Sequence, residues 1–358
     1  MKRIIYFIAS VVLLMTACDK TDPVNTQEQY DKYIFFSQSV NTKASLIEGV
    51  ANLNGQSFGV VGFKYPNTAN SNWSSYLASN PSATPNVFYD GTSLVNVESV
   101  ECDEDGDGSY SPIQGWSNTK KYTFFAFYPI NNDYVSLANI NGTDYAGGVP
   151  AIKHTLDLTD AASLKGSMVD VMTAPACMNL DGSAPANNGE VTFAFKHCLS
   201  ALGVNFENAS TGTITLTEVT LKISGIQYKG VVIPLDGSTA SPIAVEETDQ
   251  TNFTVPMVIT DESEIGVTEE TKNKELSDKL IFVPQSANLG VQVLLKYKRE
   301  AGGDNVYETS TATLTTALTK GKKHLIKIKF TESTVNVEAS FSAEEGWTTL
   351  PPVTDTFN

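Results

Sequence analysis

Arginine is almost missing from this chain: 358 residues contain two, Arg3 and Arg299. Lysine and arginine together number 24 against 40 aspartates and glutamates, a formal charge of −16. A field of that sign repels phosphate backbones, which excludes nucleic acid as a partner. Histidine is scarce too, with only His154, His197 and His324, and no two stand at a metal-binding spacing. Neither a nucleophile elbow nor a phosphate loop is expected. An enzyme is therefore not expected, and neither is a cofactor. The four cysteines, Cys18, Cys102, Cys177 and Cys198, are too few for a disulfide scaffold. No apolar run reaches the roughly 20 residues of a membrane-spanning helix. Glycine and proline, 25 and 15 residues, sit at ordinary shares, so the chain is neither collagenous nor of low complexity. Hydrophobic residues at 41% leave enough apolar material for packed cores.

The first seventeen residues read as a signal rather than as part of the fold. Lys2 and Arg3 form a basic start, and Ile4 to Met15 is a twelve-residue apolar run interrupted by Ser10. The exit, Leu14-Met15-Thr16-Ala17-Cys18, resembles the lipobox of bacterial lipoproteins, which implies cleavage between Ala17 and Cys18 and acylation of Cys18. Loss of Lys2 and Arg3 takes the formal charge from −16 to −18. Residues 18–32 are polar and patternless, as a tether between membrane and domain should be. Of the remaining thiols, Cys102, Cys177 and Cys198 all stand beside apolar neighbours, the setting of buried free cysteines.

Beyond the tether the pattern is strand-like almost throughout. Runs rich in β-branched and aromatic residues include Tyr33–Val40, Ser57–Tyr65, Tyr122–Tyr128, Val191–Phe206, Thr213–Ile223, Val291–Tyr297, His324–Phe330 and Val335–Ala343. Helical periodicity is confined to single turns at Ser74–Ala78 and Asp160–Leu164. An all-β fold of sandwich type follows. The turn-prone stretch Asp181–Glu190 is the best linker, which predicts one domain over 33–182 and a second over 190–358. One acidic loop resembles the start of a calcium loop: Asp103, Asp105 and Asp107 alternate ahead of Gly108. Its twelfth position is Gln114 rather than glutamate and strand-like runs flank it, so a solvated hairpin turn is the competing reading.

Three stretches resemble the fimbrillin-like subunits of Bacteroidales type V pili. They are Gly115-Trp116 with Tyr122–Pro129, Val169–Ala174 with Val191–His197, and Leu280–Gln285 with Val291–Tyr297. The resemblance implies two tandem transthyretin-like β-sandwich domains, lipoprotein export to the outer membrane, and assembly with other pilus subunits by strand exchange. It also implies a processing protease that cuts just beyond the first strand. Lys43-Ala44 stands at that position, with lysine where the family usually has arginine. The donor strand is expected near the C-terminus, where Val335, Val337, Ala339, Phe341 and Ala343 alternate with polar residues. A surface glycan-binding lipoprotein is the alternative, with Trp73, Trp116, Trp347 and the tyrosines as stacking platforms. A lipoprotein hydrolase is a third and weaker reading.

Overall fold

The computed structural model describes residues 30–40, 53, 55–138, 149–236, 243–247, 253–257, 263–276, 280–285, 289–299, 305–308, 312–314, 318–332, 335–340 and 355–356. Strands dominate, and the fold is all-β. Two helices, Trp73–Ser79 and Ala161–Ser167, stand where the sequence predicts single turns. Each is capped by a side-chain oxygen: Asn72 accepts from the Ser75 amide and Asp160 from the Ser163 amide.

The first sheet has eight strands and closes on itself. Its order is Met172–Thr173, Glu190–His197, Phe35–Val40, Asp107–Ser109, Glu98–Cys102, Ser57–Pro66, Lys120–Tyr128 and Cys177–Asp181. Met172 and Thr173 also pair with Tyr128 and Phe127, which closes seven of the strands into a ring, with Cys177–Asp181 paired farther along Lys120–Tyr128. Ser57–Pro66 and Lys120–Tyr128 are apolar on both faces because both of their faces are covered. Phe58 and Val60 point into the ring, while Val61, Phe63 and Tyr65 on the same strand face the adjoining core. This is why Tyr122–Tyr128 reads as a continuous apolar run instead of an alternation.

Among the described residues the remaining strands form four more sheets, one of them the pair Tyr30–Tyr33 with Gly115–Ser117. Ser200–Asn208 pairs in parallel with Lys323–Phe330, which pairs in turn with Val335–Ser340 and then Asp355–Thr356. Ile214–Ser224 pairs with Leu289–Arg299 across ten residue pairs, and Phe253–Met257 and Asn305–Glu308 lie outside them. Leu289, Val291, Val293, Leu295 and Tyr297 alternate inward, as a half-buried strand requires. A four-stranded sheet joins Val135–Leu137 and Ala151–Thr155 to Tyr228–Pro234 and Ile243–Glu247.

The turn-prone stretch 181–190 lies between two strands. Cys177–Asp181 and Glu190–His197 flank it, and both belong to the eight-stranded sheet. The Asp181 side chain accepts the Ser183 amide in a tight turn, and Asn187 to Gly189 make one 3-10 turn. Small residues here build a connection within a sheet. The chain leaves that sheet at Cys198-Leu199, both buried, in the middle of the apolar run Val191–Phe206. Cys102, Cys177 and Cys198 are free thiols, the first and last buried. Burial raises the Cys198 thiol pKa, with its sulfur 3.2 Å from the Thr173 hydroxyl.

His154, on Ala151–Thr155, is fully buried beneath the Ala161–Ser167 helix. Its Nε2–H donates to the Ser167 carbonyl at 3.1 Å, while Nδ1 is buried without a hydrogen-bond partner. Burial pushes the imidazole pKa down to about 4. A depressed histidine stabilises the fold above the unfolded pKa of about 6.5 and loses that contribution as pH falls through 4. Wild type is expected to lose roughly 3 kcal/mol across that window through this group. Denaturant titrations of His154→Gln should show a flatter pH profile between 6.5 and 4; an unchanged slope would remove His154 as the cause.

Candidate functional site

The ring of the eight-stranded sheet is closed by the segment nearest the N-terminus. Phe35–Val40 runs parallel to Glu190–His197 over six residue pairs, from Phe35↔Glu190 to Val40↔Phe195. On its other side Phe36 and Ser37 pair antiparallel with Gly108 and Asp107. Among the described pairings, this strand alone bridges those two neighbours. The residues just before it, Tyr30–Tyr33, pair with Gly115–Ser117.

Alternation sets which side chains enter the ring. Ile34 and Phe36 are 0% and 1% exposed, whereas Tyr33 and Phe35 are 56% and 44% exposed. Strict alternation from Tyr33 to Phe36 accounts for that division; the Val40 side chain lies outside the described set. Phe36 sits among four aromatic rings: Tyr110 and Phe124 at 5.3 Å between centroids, Phe193 at 5.8 Å and Phe88 at 6.0 Å. The Phe124 contact is edge-on at 80°, a favoured geometry for aromatic pairs.

Backbone groups of the strand are also held from outside it. The Ile34 amide donates to the Gln114 carbonyl at 2.9 Å, and the Gln38 amide to the Gly106 carbonyl at 3.2 Å. The Tyr110 hydroxyl donates to the Ile34 carbonyl at 3.0 Å and accepts the Gln114 amide at 3.1 Å. Burial raises the Tyr110 phenol far above its ordinary range, so it stays a donor at every physiological pH. Opposite Phe36, a Cβ on Gly108 would stand 2.8 Å from the Phe36 carbonyl oxygen, so only glycine fits that wall.

The other sequence-predicted positions fall as follows. Ala17, Cys18, Lys43, Ala44, Phe341, Ala343 and Trp347 lie outside the described residues. Val335, Val337 and Ala339 belong to the strand Val335–Ser340, near the edge of its sheet. Asp103 lies in the tight connection between Glu98–Cys102 and Asp107–Ser109. Its carboxylate accepts the amides of Asp105 and Asp107 at 2.9 Å each, and Gly106 takes a positive φ of 92°. Among the described residues no three His, Cys, Asp or Glu side chains converge as a metal-ligand set.

One motif escaped the sequence reading: Gly55-Gln56-Ser57-Phe58-Gly59 has the G-x-S-x-G spacing of a nucleophile elbow. Ser57 opens the strand Ser57–Pro66 and pairs with Glu101, so the chain continues from the serine as strand and not as helix. The strand-to-helix turn that exposes such a serine is therefore missing. His197 is buried against Asp170, with Nδ1 2.9 Å from the carboxylate, as a structural histidine should be. Trp73 and Trp116 are both buried, the latter donating its indole N–H to the Gly189 carbonyl at 3.1 Å.

A family model described as fimbrillin-like matches residues 42–344. The chain belongs to the fimbrillin-like family. A fimbrial protein from Bacteroides vulgatus shares the fold, with a TM-score of 0.55 at 18% identity, over 89% of this chain and 100% of that one. A candidate cell adhesion protein from Bacteroides ovatus gives a TM-score of 0.48 at 14% identity, covering 90% of this chain and 99% of the other. No curated protein matches. Within this fimbrillin-like chain, no described helix is long and apolar enough to cross a membrane.

Proposed function

We propose that this chain is a subunit of a cell-surface fimbria, exported as a lipoprotein and assembled by exchange of its first strand. Family membership supports the pilus or adhesin role, and the fimbrial neighbour from Bacteroides vulgatus has the same fold. The observation that carries strand exchange is the placement of Phe35–Val40 as the N-terminal strand that closes the ring. Few strands are so separable: cutting the chain after it severs a single connection, through residues 41–52. Removing it would expose the ring's aromatic interior and leave two strand edges, Asp107–Ser109 and Glu190–His197, without a partner. Burying a few large side chains at about 1.5–3 kcal/mol each gives roughly 6–12 kcal/mol for whichever strand fills the slot. That rivals the whole stability of a domain.

In this reading Cys18 carries the lipid, Lys43-Ala44 is the processing site, and the two-sandwich organisation divides after His197 rather than at 181–190. The donor is Val335–Ala343 of a neighbouring subunit. The glycan-binding alternative loses two of its three tryptophans to the core, since Trp73 and Trp116 are buried.

Mass spectrometry of surface-assembled material tests the processing step. Mature chains beginning at Ala44 are expected; chains beginning only at Cys18 would mean that this subunit keeps its first strand. Cys18→Ser is expected to abolish labelling by a clickable fatty acid in growing cells. A mutant labelled as strongly as wild type would overturn lipoprotein export.

A further inference from the structure

We propose that the slot now filled by Phe35–Val40 selects extended strands carrying an aromatic side chain at the Phe36 position, and that Tyr110 enforces the choice. The inference rests on the strand-exchange reading and names what a replacement strand must look like. Its ligand class is a peptide of pattern aliphatic–x–aromatic, running parallel to Glu190–His197.

The selection has two components that act together. The first is shape. Phe124 and Phe193 approach Phe36 from other strands of the ring, and Phe88 and Tyr110 from outside any strand. A pocket walled by four rings cannot collapse around a small side chain, because each wall is itself buried and packed. Leucine there gives up the edge-to-face contacts, and alanine leaves a cavity.

Registration is the second component. Tyr110 touches the occupant twice: its ring meets the side chain at position 36, and its hydroxyl binds the carbonyl at position 34. A strand with a single aromatic in the aliphatic–x–aromatic pattern, slipped by one residue, turns that aromatic outward to the face where Tyr33 and Phe35 now meet solvent. A strand slipped by two keeps a carbonyl for the hydroxyl but puts the wrong side chain among the rings. Gly108 closes the wall opposite with no room for a side chain, so the occupant's main chain must lie close at that row. The exposed alternate positions touch none of this and should not discriminate.

The test uses the full chain with a site-specific protease sequence inserted between residues 41 and 52, cut after folding. Fluorescein-labelled synthetic peptides spanning residues 30–40 are then added, and their entry is followed by anisotropy. The wild-type peptide should enter, and its Phe35→Ala variant should match it within about threefold. Phe36→Leu should bind at least roughly tenfold more weakly, and Phe36→Ala about a hundredfold or more. In a Tyr110→Leu chain the preference for phenylalanine over leucine should collapse; should that chain not fold, the peptide series on wild type decides alone. If the Phe36 variants enter as well as the wild-type peptide, selection is refuted while strand exchange stands. If no peptide enters, the wild-type one included, strand exchange fails and selection fails with it.

Discussion

Phe36→Ala in the uncut chain is expected to lower the unfolding free energy by about 3–5 kcal/mol, the range for truncating a buried phenylalanine. The side chain is 1% exposed and meets four rings, so nothing nearby can move in without abandoning its own contacts. Phe35→Ala, one residue away, should cost less than about 1 kcal/mol because that ring stands on the solvent side. Urea denaturation of both variants separates the two faces of one strand, with the midpoint moving and the slope constant. Equal losses at 35 and 36 would mean that the strand is not seated as described. A Phe36→Ala loss below 1 kcal/mol would mean that the ring does not depend on its N-terminal strand, and the exchange reading would lose its energetic basis.

The strand content was legible because it rests on side-chain type and spacing. Ile34 and Phe36 against Tyr33 and Phe35 could be sorted from the sequence, since alternation needs only two neighbours and a buried side. The closure of the ring could not. Met172–Thr173 is two residues long, yet it closes the ring by pairing with both Glu190–His197 and Lys120–Tyr128, and no periodicity exists at that length. The short strand Asp107–Ser109 was hidden for the same reason, although the hairpin turn before it was one of the two readings of the acidic loop. Tyr110 escaped because its role depends on the Ile34 carbonyl, 76 residues away in the chain. Likewise the run Val191–Phe206 looked like one strand; its break at Cys198-Leu199 is buried and carries no polar punctuation. Local signals gave faces and turns, whereas contacts between distant segments decided which strands are neighbours.

Phe341→Asp is expected to leave the melting temperature of the isolated subunit within a few degrees of wild type while assembly falls at least tenfold. Val335–Ser340 pairs antiparallel with Lys323–Phe330 over six residue pairs, and among the described residues only Asp355 and Thr356 lie beyond it. A strand so near the edge of its sheet can leave at the cost of one long ladder, without opening the layer beneath. In sequence Phe341 is the one aromatic on the apolar side of Val335–Ala343, so a charge there should be refused by an aromatic slot. Ile328→Asp supplies the contrast. That side chain is fully buried on Lys323–Phe330, and the substitution should unfold the monomer and abolish assembly together. Size-exclusion chromatography after protease treatment measures assembly, and calorimetry measures the monomer. If Phe341→Asp lowers the melting temperature as far as Ile328→Asp does, the C-terminal strand belongs to its own sheet. The donor would then have to be sought elsewhere in the chain.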